Sequence, residues 1–305
     1  MPTFSIVLPC HDAAATLAAT VDSVRAQTRT DWELICVDDG STDETPLILE
    51  ALAAQDARIR VTRQRNAGPS RARNAGALIA RGRLLAFLDA DDLWHRDKLA
   101  SALSVLTRDP RADAAFGRVT FFDGAADVGR SAAHVGALSL EACLGENPLC
   151  TLSNLTVRCD AFLATGGFDE RLRHAEDLAW LIAAISGGLR VVGTETHHLR
   201  YRTSPQGLSA DLGAMHEGWR LAVSAAGVPL PRAALARAEA RHLRYLARRA
   251  LRTGQPPGTA LAFALRGLVR GPCAFLGGGR RGPTTLLACL AASVLPAPLR
   301  RRAFA

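Results

Sequence analysis

The chain has 305 residues, 48% of them hydrophobic and 22% charged, a balance that suits a folded globular protein and excludes a disordered or low-complexity one. Seven cysteines, an odd number without a CxxC pair, argue against a disulfide framework or a thiolate zinc site and point to a reducing compartment. The net charge of +8 is unevenly placed: residues 1–215 hold 22 basic and 27 acidic side chains, whereas residues 216–305 hold 15 arginines against two glutamates.

The N-terminal Met-Pro-Thr runs straight into an apolar stretch with no basic leader, so no secretory signal is read. Residues 4–8 are expected as a buried strand and 14–26 as a helix with Leu17, Val21 and Val24 at core spacing. Residues 32–37 make a second strand, ending in Asp38-Asp39-Gly40-Ser41, and Ser41 or Thr42 is expected to cap a helix reaching about residue 54. A short strand at 59–62 follows, then a turn at 66–70, with Ser70 capping a helix to residue 79. Residues 84–88 form a fourth strand, ending in Asp89-Ala90-Asp91-Asp92. Apolar strands alternating with helices imply an α/β fold with a mostly parallel sheet covered on both faces. Such sheets bind ligands beyond the carboxyl ends of their strands, where both acidic clusters fall.

Further along, residues 114–122 read as a strand, 123–136 as a loop and 149–157 as another strand. Residues 160–165 make a short helix, 177–186 a longer one, 189–201 one or two strands and 202–212 a loop. From about 213 the period is helical, with Arg237, Arg241, Arg244, Arg248 and Arg252 recurring against Leu243, Leu246 and Leu251. The nearly uncharged stretch 282–299 contains three prolines, and its unbroken apolar part is too short to span a bilayer.

Three carboxylates within four residues, at Asp89, Asp91 and Asp92, repel one another unless a positive group neutralises them. Hard divalent cations such as Mn2+ or Mg2+ take one or two carboxylates together with substrate phosphates, and they stabilise a departing diphosphate. The plain alternative is an acidic turn in which Asp92 caps the next helix. Asp38 and Asp39 either accept hydrogen bonds from a base or ribose, or serve as turn residues. Arg71 and Arg73, near a helix N-terminus, reach a phosphate, fix an acidic turn or lie on a solvated face. Glu176-Asp177 opens a helix, where a carboxylate stays ionised and can act as general base for a sugar hydroxyl, or as a structural cap. Of His197-His198, one faces the site side and could complete a metal sphere, His198 being the candidate; a satisfied strand histidine is the alternative. The cysteines read as small buried apolar residues.

Together these pieces resemble the family 2 glycosyltransferases. The resemblance runs from about residue 3 to 211. It is carried by Phe4-Ser5-Ile6-Val7-Leu8-Pro9, by Trp32 through Asp43 and by Asn66-Ala67-Gly68-Pro69-Ser70-Arg71-Ala72-Arg73-Asn74-Ala75-Gly76. Phe87-Leu88-Asp89-Ala90-Asp91-Asp92-Leu93-Trp94, Gly166-Gly167-Phe168-Asp169-Glu170 and Glu176-Asp177-Leu178-Ala179-Trp180 complete it. It implies an inverting enzyme of the GT-A fold, with Pro9 and Asp39 framing a nucleotide base, typically uracil. Asp91 would then be the main ligand of Mn2+ or Mg2+, Asp89 a second ligand or ribose contact, and Asp177 the catalytic base. Arg71 would belong to the donor site, with Asp38, Arg73, Glu176 and His198 as further candidates. A histidine that the family often carries between Tyr201-Arg202 and Leu208-Ser209 is replaced here by Thr203-Ser204-Pro205-Gln206. The QxxRW element and membrane spans of processive relatives are not found, so a single sugar transfer per encounter is expected.

The expected organisation is a catalytic domain over 1–212, split into a nucleotide-sugar half (1–95) and an acceptor half (96–212), followed by a basic helical extension over 213–305. That extension suits an anionic membrane surface, with acceptors that are glycans or lipid-linked glycans and a cytoplasmic, peripheral location. Nucleic acid is disfavoured because stacking aromatics are scarce there. A dinucleotide dehydrogenase is excluded by the missing GxGxxG after the first strand, and a nucleotidyltransferase lacks its basic phosphate loop. The non-enzyme rival is an idle homologue that binds sugar nucleotide or scaffolds a glycan assembly.

Overall fold

The computed structural model describes residues 1–172, 174–203, 211–296 and 299–300. Internal packing divides the chain into two units, Met1–Ser139 with Pro148–Thr203, and Leu140–Asn147 with Ser204–Ala305. The division thus falls at 203/204, where the sequence suggested 212/213, and residues 140–147 go with the helical unit.

In the first unit, β1 (Phe4–Cys10), α1 (Leu17–Arg25), β2 (Trp32–Asp38), α2 (Thr45–Gln55), β3 (Ile59–Arg63), α3 (Pro69–Leu78) and β4 (Leu84–Phe87) follow the expected alternation. Then come β5 (Leu93–Trp94), α4 (Lys98–Arg108), β6 (Ala114–Phe122), β7 (Asp127–Arg130), β8 (Gly136–Ala137) and α5 (Leu140–Gly145), the last belonging to the second unit. A 3-10 turn (Leu152–Asn154), β9 (Thr156–Arg158), α6 (Cys159–Ala164), α7 (Glu176–Ser186) and β10 (Val191–Arg202) complete the sheet unit. The strand order is β3-β2-β1-β4-β9-β6-β10-β5, with β7 on β6 and β8 on β10. Strands β3, β2, β1 and β4 are parallel, whereas β9 runs antiparallel to both β4 and β6, so the sheet as a whole is mixed.

Every residue of β2 is buried, which explains the apolar run Leu34 to Val37, and the buried Glu33 before it is met by Ser5 Oγ (2.6 Å) and Arg60 (2.8 Å). Alternate residues split between two faces. Phe4, Ile6 and Leu8 of β1 join Trp32, Leu34 and Cys36 of β2 against Leu17, Val21 and Val24 of α1. Ile35 and Val37 face the other way, against Ala72 of α3. There α3 approaches so closely that a Cβ on Gly76 would stand 2.5 Å from Val7 Cγ1, which requires glycine. On that side Phe87, Phe162, Phe168 and Trp180 form a cluster with ring centroids 5.1–6.0 Å apart. The cluster seats α7 against the sheet.

Several local expectations are corrected. The loop at 123–136 contains β7 and the start of β8. The strand expected at 149–157 is instead a 3-10 turn over Leu152–Asn154 and only the short β9 at its end. The buried Asn154 side chain bonds Gly117 N, Gly117 O and Leu149 O there, satisfying backbone groups that a ladder would otherwise pair. Neither Ser41 nor Thr42 caps α2, which starts at Thr45; Ser41 Oγ instead accepts from Asp12 N (3.1 Å), and Asp43 Oδ1 accepts from Thr45 N (2.9 Å). Ser70 lies inside α3, because Pro69 opens the helix and Gly68, at φ 94°, precedes it.

The second unit comprises α5, α8 (Leu212–Ala225), α9 (Arg232–Arg252), α10 (Pro257–Arg270), α11 (Pro272–Leu276) and α12 (Arg281–Val294). Leu243, Leu246, Ala247 and Ala250 of α9 form its core with Phe263, Phe275 and Cys289. The arginine series on α9 is partly internal. Arg244 is buried and donates to Phe275 O (3.0 Å) and Gly277 O (2.6 Å), while Arg241 pairs with Glu141 (2.5 Å) and Arg248 with Glu146 (3.5 Å). No described helix is long and apolar enough to cross a membrane.

Candidate active site

The turn after β4 is built before any ligand arrives. Thr16 and Thr20, one helical turn apart on and just before α1, both donate to Ala90 O (2.8 and 3.0 Å). From the other side Ser153 Oγ accepts from Asp89 N (3.0 Å), and Trp94 Nε1 donates to Ser153 O (2.8 Å). The Asp-Ala-Asp backbone is therefore fixed from two elements distant in sequence.

The three carboxylates diverge in what surrounds them. Asp89 accepts from Arg73 Nη2 (2.5 Å) and from Thr151 Oγ1 (3.1 Å). Burial opposes its ionisation, but Arg73 and these hydrogen bonds outweigh burial and hold it below the ordinary carboxylate range. Asp91 is exposed on the rim and has no salt-bridge partner among the described residues. Desolvation by the surrounding protein, reinforced by the charge of Asp89, pushes it up to about 6. Asp92 is fully buried; burial, then Asp89 and Asp91, raises it well above the usual range. Its Oδ1 accepts from Arg202 N (3.0 Å), so Asp92 ties the end of β10 to the acidic turn rather than capping α4, whose N-cap is Asp97. Arg202 Nε returns to Asp91 O (2.9 Å).

Arg73 is the hinge of the site. It is buried on α3, donating to Asp89 through Nη2 and to Glu176 Oε1 through Nη1 (3.0 Å), so one guanidinium joins the acidic turn to the start of α7. Burial disfavours its charge, yet Asp89 and Glu176 more than compensate and raise its pKa further. Asp177, the next residue after Glu176, is half-buried in the first turn of α7, and its Oδ1 accepts from Leu178 N (2.7 Å). Trp180, in the following turn, is locked in the aromatic cluster and donates to Thr165 Oγ1 (2.8 Å).

Backbone strain gathers around these elements. Only three described non-glycine residues have positive φ: Asp12 (47°) after β1, Cys150 (67°) before Thr151 and Ala175 (59°) before Glu176. Each such residue costs on the order of 1–3 kcal/mol, and such strain persists where the surrounding structure over-determines it.

On the donor side, Asp39 is buried and fully engaged: Oδ1 accepts from Ala67 N (2.9 Å) and Gln64 Nε2 (2.7 Å), Oδ2 from Gly68 N (2.8 Å). It therefore shapes the 64–68 turn. Asp38 accepts from Ser41 N (2.9 Å) and pairs with Arg63 Nε (3.1 Å). Pro9 sits near the end of β1, opposite Val37 and partly exposed. Arg71 points away from Arg73, as residues two apart on a helix must, and lines a hollow of about 220 Å³ with Gln64, Arg65, Asn66 and Ala67. The suggestion that His198 completes a metal sphere is corrected: it is fully buried, Nε2 lies 3.0 Å from Ser101 Oγ of α4, and burial followed by Lys98 lowers it to about 3. Thr16, Thr20, Thr151, Ser153 and Arg202 escaped the sequence reading, since isolated hydroxyl residues carry no spacing signal and a lone arginine at a strand end carries little.

No group of three or more His, Cys, Asp or Glu gathers into a metal site among the described residues. The chemistry still fits a hard divalent cation, because Mg2+-type ions use one or two carboxylates and complete their shell with phosphates and water. Asp91 offers such a carboxylate, and a nearby cation would relieve the crowding that raises its pKa.

A family model described as Glycosyl transferase family 2 matches residues 5–164. The chain belongs to this family. The match takes in Asp38, Asp39, Arg71, Arg73, Asp89 and Asp91 and stops before Glu176 and Asp177. Among curated relatives, the UDP-Glc:alpha-D-GlcNAc-diphosphoundecaprenol beta-1,3-glucosyltransferase WfgD of Escherichia coli is 29% identical over 212 residues, 68% of this chain and 79% of that protein. The succinoglycan biosynthesis protein ExoO of Rhizobium meliloti is 33% identical over 62% of this chain and 58% of its own length. Other relatives match a shorter stretch, such as the putative teichuronic acid biosynthesis glycosyltransferase TuaG of Bacillus subtilis, 42% identical but over 42% of its own length. Staphylococcus aureus TarS 1–349 in complex with UDP superposes with a TM-score of 0.65 at 20% identity, covering 100% of this chain and 91% of that one. The mannosyltransferase PcManGT of Pyrobaculum calidifontis, in complex with GDP-Man and Mn2+, gives 0.61 at 20% identity over 99% and 87%. This family 2 glycosyltransferase thus has the expected GT-A-like architecture, a mixed sheet flanked by helices with a helical C-terminal region.

Proposed function

We propose that the enzyme transfers a sugar from a nucleoside-diphospho-sugar, with UDP as the favoured nucleotide, to a hydroxyl of a glycan or lipid-linked glycan in polysaccharide or glycolipid synthesis. Residues 1–95 serve the donor and 96–212 the acceptor. The observation that carries this reading is the Arg73 bridge, which joins Asp89 of the acidic turn to Glu176, the residue before Asp177, through one guanidinium. Names of relatives agree with it: WfgD uses UDP-Glc and an undecaprenyl-linked acceptor, and ExoO takes part in succinoglycan synthesis.

In this mechanism Asp177 accepts the proton of the acceptor hydroxyl as that oxygen bonds the anomeric carbon. The bond from that carbon to the diphosphate oxygen breaks in the same step, and attack from the opposite face inverts the centre. Asp91, with Asp89 oriented beside it, would hold Mn2+ or Mg2+, which supplies positive charge for the diphosphate. Arg73 keeps Asp89 ionised and fixes the turn relative to α7. Asp39 holds the 64–68 turn open for the base, with Pro9 and Arg71 at its edge. Segments 123–148 and 202–212 choose the acceptor, and of the second, residues 204–210 lie outside the described residues. The basic region from 213 onward brings the enzyme to an anionic membrane, on its cytoplasmic face.

A screen of nucleotide sugars for Mn2+-dependent thermal stabilisation and transfer tests the proposal, with product anomers read by NMR. Asp177→Asn is expected to keep donor stabilisation and to lose transfer by a factor on the order of 1000 or more. A retained anomeric configuration, or transfer surviving in Asp177→Asn, would reject the assigned base.

A further inference from the structure

The helical unit carries an apolar surface that its own fold leaves uncovered. On α12, Gly282, Thr285, Cys289 and Ala292 form the buried side, at the spacing of one helix face. The opposite face presents Leu287, Leu290 and Val294, which are 65%, 46% and 81% exposed. An ordinary surface helix places charges there, yet no charged residue occurs between Arg281 and Arg300. Neighbouring α10, which packs on α12, repeats the pattern: Ala262, Leu265 and Val269 are exposed at three-to-four spacing, Val269 by 86%.

Cations frame this surface. Arg280 and Arg281 open α12, Arg300 follows it, and Arg266 and Arg270 flank the α10 stripe. Arg270 pairs with the buried Glu239, but Arg266, Arg280 and Arg281 have no carboxylate partner among the described residues. Glu217 is the other acidic residue beyond 215, while Glu141 and Glu146 of the same unit are engaged by Arg241 and Arg248 of α9.

We infer that α12 and α10 are the bilayer-seating face of this protein, with Leu287, Leu290, Val294, Leu265 and Val269 entering the acyl boundary and the arginines resting among anionic phospholipid headgroups. This assigns the proposed membrane association to particular side chains, and it stands whether or not the sugar-transfer reading does. An uncharged helix face bracketed by arginines is the pattern of an interfacial helix, whose long cationic side chains reach back to the headgroups. At 14 residues α12 is about 21 Å long at 1.5 Å per residue, short of the roughly 30 Å hydrocarbon layer, so it lies in the interface and does not cross. A second copy is a poor occupant, because pairing two apolar stripes each rimmed by unpaired arginines would bring those like charges together. Anionic lipid satisfies both the charge and the apolar stripe.

Flotation of the full chain with phosphatidylcholine vesicles, with and without phosphatidylglycerol, tests the inference. Binding is expected on the anionic vesicles, falling roughly tenfold or more in Leu287→Ser/Leu290→Ser/Val294→Ser and weakening steeply with salt. A Leu290→Trp variant reads depth directly, since the native Trp32, Trp94, Trp180 and Trp219 are at most 5% exposed. Brominated acyl chains should quench the emission that Leu290→Trp adds and leave a Leu47→Trp control, on α2 of the sheet unit, unchanged. Unquenched emission in Leu290→Trp, flotation indifferent to the triple substitution, or a concentration-dependent dimer that the triple substitution abolishes would each overturn the assignment. Should the triple variant melt early, Arg280→Gln/Arg281→Gln on the intact apolar face provides the same flotation comparison.

Discussion

Arg73→Met removes the cation that pairs with Asp89 of the acidic turn and with Glu176 of α7. The side chain is 6% exposed and makes contacts of 2.5 Å to Asp89 and 3.0 Å to Glu176, so solvent screens neither appreciably. Truncating one partner of a buried ion pair costs about 3–5 kcal/mol, chiefly because the remaining carboxylate is left uncompensated. Here the penalty is sharpened by the charge of Asp91, which already raises its neighbour Asp92. For a unit of this size the cost corresponds to a fall in Tm of about 6–20 °C. Thermal and urea denaturation measure it, and a double variant, Arg73→Met/Asp89→Asn, should recover more than about 1 kcal/mol by neutralising the orphaned group. Arg73→Lys is expected in between, since an ammonium keeps the charge but cannot fork to two carboxylates. The pH dependence follows from Asp89, whose folded pKa is lowered: its contribution is whole above the ordinary carboxylate range and is lost as pH falls through the lower folded value. The stability gap between native and Arg73→Met should therefore be flat from about pH 6 to 8 and close below about pH 4. A melting temperature unchanged in Arg73→Met, or no recovery in the double variant, would refute the reasoning.

Asp91 behaves oppositely, because its pKa is raised to about 6: the stability it contributes is complete below the ordinary carboxylate value and is lost as pH rises through about 6. Without metal, Asp91→Asn should melt above the native protein at about pH 8 and match it near pH 4. Added Mn2+ should stabilise the native protein and not the variant, with apparent affinity falling as pH drops through about 6. Lys98 is fully buried against Trp94 and Thr156, and desolvation lowers its pKa well below the ordinary value. Lys98→Met should consequently raise the Tm at about pH 7, by an amount that shrinks toward pH 10. Asp39→Ala strands two backbone amides and the Gln64 side chain, at about 1–3 kcal/mol in urea denaturation, and should raise the donor KM more than it lowers kcat. Gly76→Ala should destabilise by about 1–3 kcal/mol through overpacking against Val7, read by the same denaturation.

The sequence by itself determined the alternation of apolar strands and helices over the first hundred residues, and with it the position of both acidic clusters at strand ends. These features are local: a parallel strand buried on both faces is mostly apolar, and the chain must turn at its carboxyl end. Family membership was legible for the same reason, since the motifs are contiguous. What only tertiary structure decided was the work each polar group does. Arg71 and Arg73 are equivalent in sequence, yet one lines a hollow and the other is buried between Asp89 and Glu176, which belong to separate elements far apart in the chain. Asp89, Asp91 and Asp92 look alike in a row, but Arg73 overcomes the burial of the first and lowers it, desolvation beside Asp89 raises the second to about 6, and complete burial raises the third well above the usual range. His198 looked available and is buried on Ser101, while Thr151 and Ser153, silent in sequence, fix the turn. Charge and hydrogen bonding act through space over a few ångströms, and which residues come that close is set by how the strands cross, not by their order in the chain.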